Sequence, residues 1–350
     1  MTDEASISWQ TVAVELLRRR AGGAPLLADE RLAAGASMHE SALRDRNIDG
    51  LYFLACNVDH PRRRLYQAQC DAQVAETRAV IADLNQLGVD PIVFKSLEIG
   101  ARYDRCRATG LRADVDLLVP LDALWNVRKV MYGRDYVHGI YRHRTRDWSV
   151  VDPREALRHE AKAYELWPLR KAIEVVGLDD QVVEEAKRHP GAFCVQDDKV
   201  LIFVAFDFHH NILFNFDIAT RIARSVPSAL GIGRALAPAD HLWFSIHRHY
   251  SEAAMEEWQW QGPRPLVTVA PIVADASVDW DVVIASAVEQ KSTWPTLAWL
   301  TFFYKLGATS VPERVLADLR RQVGCGARNW GWQLGRLFDV EEPFPDSLVR

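Results

Sequence analysis

Two aspartates, Asp114 and Asp116, bracket Val115 at the start of an apolar run that continues to Val119. Successive side chains on a strand point to opposite faces, so residues two apart share a face and both carboxylates aim at one point. Carboxylates on an apolar strand are costly to bury unless a cation neutralises them, which predicts a divalent metal. A third carboxylate, Asp207, stands in a matching setting after the apolar run Leu201 to Phe206. Three aspartates on adjacent strand ends are expected to bind two Mg2+ ions. Two ions roughly 3.5–4 Å apart can activate an attacking hydroxyl and stabilise the leaving oxygen of an in-line displacement at phosphorus. In this reading Asp114 and Asp116 bridge both ions, and Asp207 completes the site of the ion that lowers the nucleophile's pKa.

A phosphate-binding element belongs beside such carboxylates. The short strand Ile92 to Phe94 ends in Lys95-Ser96, and Ser96 to about Arg105 reads as a helix with Leu97 and Ala101 at i, i+4. A helix N-terminus directly after a strand presents free backbone N–H groups and a partial positive charge, which suit phosphate. Ser96 and the backbone around it are expected to hold the β- and γ-phosphates of a nucleoside triphosphate, with Lys95 or Arg112 offsetting their charge.

Histidines offer a competing chemistry. His209 shares the strand face of Asp207, whereas His210 points the other way, so Asp207 with His209 also suits metal-dependent phosphohydrolysis. His241, His247 and His249 share one predicted helix without i, i+4 spacing, which argues against zinc there. His247 is a candidate substrate residue on a helical tail folded over the cleft. Glu165 is a second candidate, although a solvent-facing carboxylate on an edge strand is the simpler explanation. The twelve tryptophans, Trp258, Trp260, Trp330 and Trp332 among them, are read as packing between helices.

The elements that must position these groups follow from periodicity. Residues 1–88 read as a helical region in which Thr77, Val80, Ile81, Leu84 and Leu87 form one buried stripe. Gly88 and Asp90-Pro91 stop it and turn the chain into the first strand. The run Arg62-Arg63-Arg64 is read as a solvated helix face. Residues 89–217 alternate helices and strands, with strands over 136–141 and 148–151, helices over 121–131 and 153–163, and a hairpin joining 192–195 to 200–208. Pro168 is expected to place 164–176 at a sheet edge or in a loop. Residues 218–350 read as an all-α region. The fold class expected is α+β, a small mixed sheet flanked by N-terminal helices and a helical C-terminal region.

Composition narrows the function classes. Across 350 residues, 49% hydrophobic and 25% charged, the chain has an ordinary globular make-up and a formal charge of -5, which disfavours long nucleic acid and anionic membranes as partners. Cys56, Cys70, Cys106, Cys194 and Cys325 are scattered without a CxxC, so neither a disulfide framework nor a thiolate zinc site is indicated. With no apolar leader at the N-terminus, a cytoplasmic location is expected.

Taken together, Phe94-Lys95-Ser96, Asp114 to Val119, Tyr164 to Pro168, Asp207 to Asn211 and Pro238 to Leu242 resemble the nucleotidyltransferase superfamily that includes DNA polymerase β. The likeness is to a bacterial group with Leu-Lys-Gly, Asp-x-Asp-Leu-Leu-Val and Asp-x-His-His-Asn segments, and it spans roughly residues 60 to 320. It implies that Asp114, Asp116 and Asp207 are the metal carboxylates and that Lys95-Ser96 is the phosphate-facing turn. It also implies transfer of a nucleoside monophosphate from an NTP to an acceptor, expected to be a small molecule, with Mg2+ as cofactor. Ser96 stands where that group has glycine, and residues 97–113 form a longer connection than compact members have. A non-catalytic nucleotide-binding protein of the same fold is the alternative these departures leave open.

Overall fold

The computed structural model describes residues 8–22, 30–142, 144–145, 147–197, 199–212, 218–254, 262–323 and 337–338. Trp258, Trp260, Trp330, Trp332 and Cys325 lie outside them. Backbone contacts divide the chain into two units, Met1–Val58 with Pro238–Arg350, and Asp59–Ala237. The first unit opens with helices α1 (Trp9–Ala21), α2 (Glu30–Met38), α3 (Glu40–Asp45) and α4 (Asp49–Ala55).

The second unit begins with the long helix α5 (Pro61–Gln86). Proline at its first position needs no N–H partner there, and the His60 side chain accepts from the Arg62 amide at 3.1 Å. Gly88, at φ +75°, ends it in a conformation that costs other residues a Cβ clash. Strand β1 (Ile92–Phe94), helix α6 (Lys95–Asp104), strand β2 (Val115–Leu118), a short 3-10 turn and helix α7 (Leu124–Gly133) follow. Next come β3 (Val137–Arg142), β4 (Asp147–Val150), α8 (Pro153–Glu160), β5 (Leu169–Val175), α9 (Asp180–Ala186), β6 (Phe193–Gln196) and β7 (Lys199–His209). Helix α10 (Ile218–Arg224) and two short strands, β8 (Val226–Pro227) and β9 (Arg234–Ala235), close the unit.

These strands form one mixed sheet in the order β4-β3-β5-β7-β2-β1-β9-β8, with β6 paired to the first part of β7. Among the described residues the architecture is therefore α+β around a nine-stranded sheet. β7 is its spine: β5 and β6 flank its first half, and β2 runs parallel to its second half. On one face, buried Phe206 meets Tyr136, whose hydroxyl donates to Glu76 of α5 at 2.8 Å. The even-odd alternation sends Asp207 and His209 to the other face.

Several elements depart from the expectations. β5 is no simple edge strand, since Leu169 and Arg170 are paired with β3 on one side and β7 on the other. The proline stands before the strand, where its missing N–H costs no ladder bond. Glu165 bridges to His209 and Leu169 pairs with Phe206, so the three residues 166–168 run against the two residues 207–208 of β7. That is a β-bulge at Trp167-Pro168, a device that re-aims a neighbouring side chain. Within the stretch read as all-α, β8 and β9 add to the sheet, β9 lying parallel to β1. At two residues each they are too short to show any periodicity. Helix α9 forms in a stretch for which the spacing predicts no element.

Arg62 is likewise no solvated charge. It is buried with its Nε donating to Glu185 Oε1 at 2.7 Å, tying α5 to α9. Removing one partner of a buried pair strands the other charge. Arg62→Met is expected to cost about 3 kcal/mol, the low end for such a loss. Glu185 keeps Arg188 at 2.9 Å and His189 at 3.3 Å, which limits the damage. Urea unfolding measures it, and an unchanged midpoint would show the pair to be inert.

The first unit resumes with α11 (Pro238–Ala254), α12 (Arg264–Val273), α13 (Trp280–Glu289), α14 (Thr293–Lys305) and α15 (Glu313–Val323). Arg20 of α1 donates to the Val267 carbonyl at 2.8 Å, joining the two ends of the chain in one unit. Among the described residues no helix is long and apolar enough to cross a membrane.

Candidate metal centre

β2 is buried along its whole length, which its sequence Val-Asp-Leu-Leu permits only if Asp116 is neutralised. Asp116 is 2 % exposed and pairs in register with Asp207 across the parallel strands β2 and β7. Two residues further along β7, His209 is 3 % exposed and stands on the same face. One ligand atom from each of Asp116, Asp207 and His209 lies within 4.8 Å of the others, so these three form a group that can hold a metal ion.

Their partners define the electrostatics. Lys95 Nζ donates to Asp116 Oδ1 and lies 3.5 Å from His209 Nε2. His209 Nε2 is also 3.0 Å from Asp116 Oδ1, a hydrogen bond when Nε2 carries the ring proton. The other ring nitrogen, Nδ1, is sealed from solvent without a hydrogen bond, 3.1 Å from Glu165 Oε2. Phe94 meets the imidazole edge-on at 5.2 Å, and Tyr164 stacks on it at 6.0 Å. Burial, reinforced by the Lys95 ammonium, holds the His209 pKa below its ordinary value, so the ring is neutral near pH 7.

Asp207 is the strained member. Its Oδ1 is buried with no hydrogen-bond partner. Burial first, then the charges of Asp114 and Asp116, push its carboxyl up to about 8. An orphaned buried oxygen among like charges fits a cation, and the donor set of two carboxylates and one imidazole is a metal-ligand set.

Asp114, expected to bridge two ions, is half-buried just before β2 and outside the close group. Its charge reaches Asp207, and His209 takes the third place instead. Lys95, expected to face phosphate, faces Asp116. It is also Lys95, and not Ser96, that takes the left-handed turn into α6, at φ +59°. That conformation costs a non-glycine residue roughly 1–2 kcal/mol and swings the side chain back across the strand ends. Ser96 follows it in the first turn of α6, whose N-terminus has no side-chain cap.

Arg112, expected to offset phosphate charge, is instead 5 % exposed and held against α5. Its guanidinium donates to Cys70 Sγ at 2.9 Å, and its backbone exchanges bonds with Gln69. A methyl group on Gly100 would overlap that guanidinium and force it to move. His247 belongs to the other unit, where its ring stacks on Trp243 at 5.6 Å, and His249 stacks on Trp299 at 6.0 Å. Glu165, read as a solvent carboxylate or substrate residue, is turned onto His209 by the bulge. Pro168, expected to place 164–176 at a sheet edge or in a loop, marks this bulge.

Comparison of the chain with protein-family models, curated proteins and solved structures finds no match in any of the three.

Proposed function

We propose that this chain is a metal-dependent nucleotidyltransferase that moves a nucleoside monophosphate from an NTP to a small-molecule acceptor and releases pyrophosphate. The observation that carries the reading is Asp116 facing Asp207 across parallel strands, next to a helix N-terminus free of a side-chain cap. The resemblance of the Asp-x-Asp strand and its companion segments to nucleotidyltransferases supports it. Bound divalent ions, two Mg2+ in this reading, would supply charge neutralisation and Lewis acidity at the phosphates. Asp116 and Asp207 would hold them, with Asp114 adding negative charge beside the pair. The first-turn amides of α6 at Ser96 and the Lys95 ammonium would face the anionic triphosphate. The formal charge of -5 favours a small acceptor over long nucleic acid.

His209 within the metal group favours one second reading, a phosphohydrolase in which water is the acceptor. An NTP labelled at the α-phosphate, incubated with the protein, Mg2+ and a filtered small-molecule extract, separates them. Transfer puts label on a new compound and releases pyrophosphate only when extract is present. Hydrolysis yields free nucleotide or phosphate without extract. Label recovered solely in intact NTP overturns both and leaves a nucleotide-binding protein.

A further inference from the structure

The carboxylates favour Mg2+, yet the group they form with His209 contains an imidazole. Mg2+ prefers oxygen ligands and gives up water reluctantly, whereas imidazole suits Fe2+, Co2+, Ni2+ and Zn2+. His209 is placed as a ligand would be: on the same strand face as Asp207, fixed by Phe94 and Tyr164, with Nε2 at Asp116. Its far nitrogen is equally informative. Nδ1 is closed off from water, lacks a hydrogen bond, and has the Glu165 carboxylate 3.1 Å away. With the ring proton on Nε2, two lone pairs confront each other there. Moving that proton to Nδ1 would give Glu165 an N–H to accept and leave the Nε2 lone pair free for a cation.

We propose that Asp116, Asp207 and His209 form a site for a first-row transition-metal dication of the Fe2+, Co2+ or Zn2+ class in preference to Mg2+, with Glu165 the positioning residue that holds the His209 ring for it. The inference rests on the metal centre of the proposed function, and it fills that centre with a different kind of ion. Ligating histidines characteristically present their second N–H to a carboxylate, and removing that carboxylate lowers metal affinity about 10–100-fold. The bulge at Trp167-Pro168 is what delivers Glu165 to this place. Lys95 is the cation in the metal-free state, and the incoming ion displaces its ammonium from Asp116.

Co2+ is the probe, because its visible bands report the ligand set directly. The full-length chain, stripped with chelator, is titrated with Co2+ and separately with Mg2+. The wild type is expected to show visible bands on Co2+ binding and to bind Co2+ at least about 100-fold more tightly than Mg2+. His209→Gln is expected to shift the bands and weaken Co2+ by about 100-fold while leaving Mg2+ nearly as before. Glu165→Ala is expected to weaken Co2+ by about 10–100-fold with the bands retained, and Glu165→Gln, which still offers an acceptor, to recover most of that loss. Circular dichroism establishes that each variant is folded. Unchanged bands and affinity in His209→Gln overturn the inference while the carboxylate site stands, provided that Asp116→Asn abolishes binding. Undiminished Co2+ binding by Asp116→Asn overturns the metal centre itself.

Discussion

Asp116→Asn is expected to lower NTP turnover by about 10²–10³-fold, the usual cost of removing one group that acts on charge developing in the transition state. Asparagine keeps the shape and an oxygen for Lys95 Nζ, so β2 and its neighbours remain paired. What is lost is the negative charge at the centre of the group, the charge Lys95 and His209 both face. Thermal unfolding of this variant is expected to lose the rise that divalent metal gives the wild type, since an ion that binds only the folded state stabilises by mass action. Turnover and metal-induced stabilisation both equal to wild type would remove Asp116 from the reaction.

The second large effect is on stability as a function of pH. Asp207 titrates near 3.8 when unfolded and at about 8 in the metal-free fold, because burial and two neighbouring carboxylates penalise its charge. Between those values the folded protein keeps a proton that the unfolded chain has released. Raising the pH through this window therefore favours unfolding, by at most about 6 kcal/mol if the whole difference is realised. The histidines act in the opposite sense. His138, His209 and His247 are all held below their ordinary values by burial, so they add stability as the pH climbs to about 6.5 and nothing beyond it. The difference between wild type and Asp207→Asn isolates the carboxylate: the variant's advantage is expected to grow steadily from pH 4 to 8. Divalent metal is expected to abolish that advantage and to be taken up with release of about one proton near pH 7. Chemical unfolding across pH and calorimetry in buffers of different ionisation enthalpy measure the two quantities. A pH-independent difference would mean that Asp207 ionises normally in the fold.

How legible the centre was depends on which residues are considered. The Asp-x-Asp spacing and the apolar runs around Asp114, Asp116 and Asp207 are local features, and strand parity converts them directly into a shared face. The same parity separates His209 from His210. Lys95 escaped this logic because its direction depends on one backbone angle, φ +59°, which lysine seldom adopts and no pattern of neighbours announces. Glu165 escaped because a bulge shifts register by one residue and so reverses which side chains face the centre. Arg112 was misplaced because a charged residue near a proposed phosphate site invites a functional reading. Its burial is decided by packing against Gln69 of α5, 43 residues away in sequence.

By itself, then, the sequence determined the type of the longer elements, the strands that carry carboxylates and the residues that share a strand face. All of these follow from spacing within a few residues, where backbone geometry leaves one answer. Only the tertiary structure decided that β7 lies beside β2 with Asp207 opposite Asp116, that His209 completes the group, and that residues on either side of Asp59–Ala237 form one unit. Those are long-range pairings. They are chosen by the burial of whole faces against one another, a sum over many side chains that no short stretch contains.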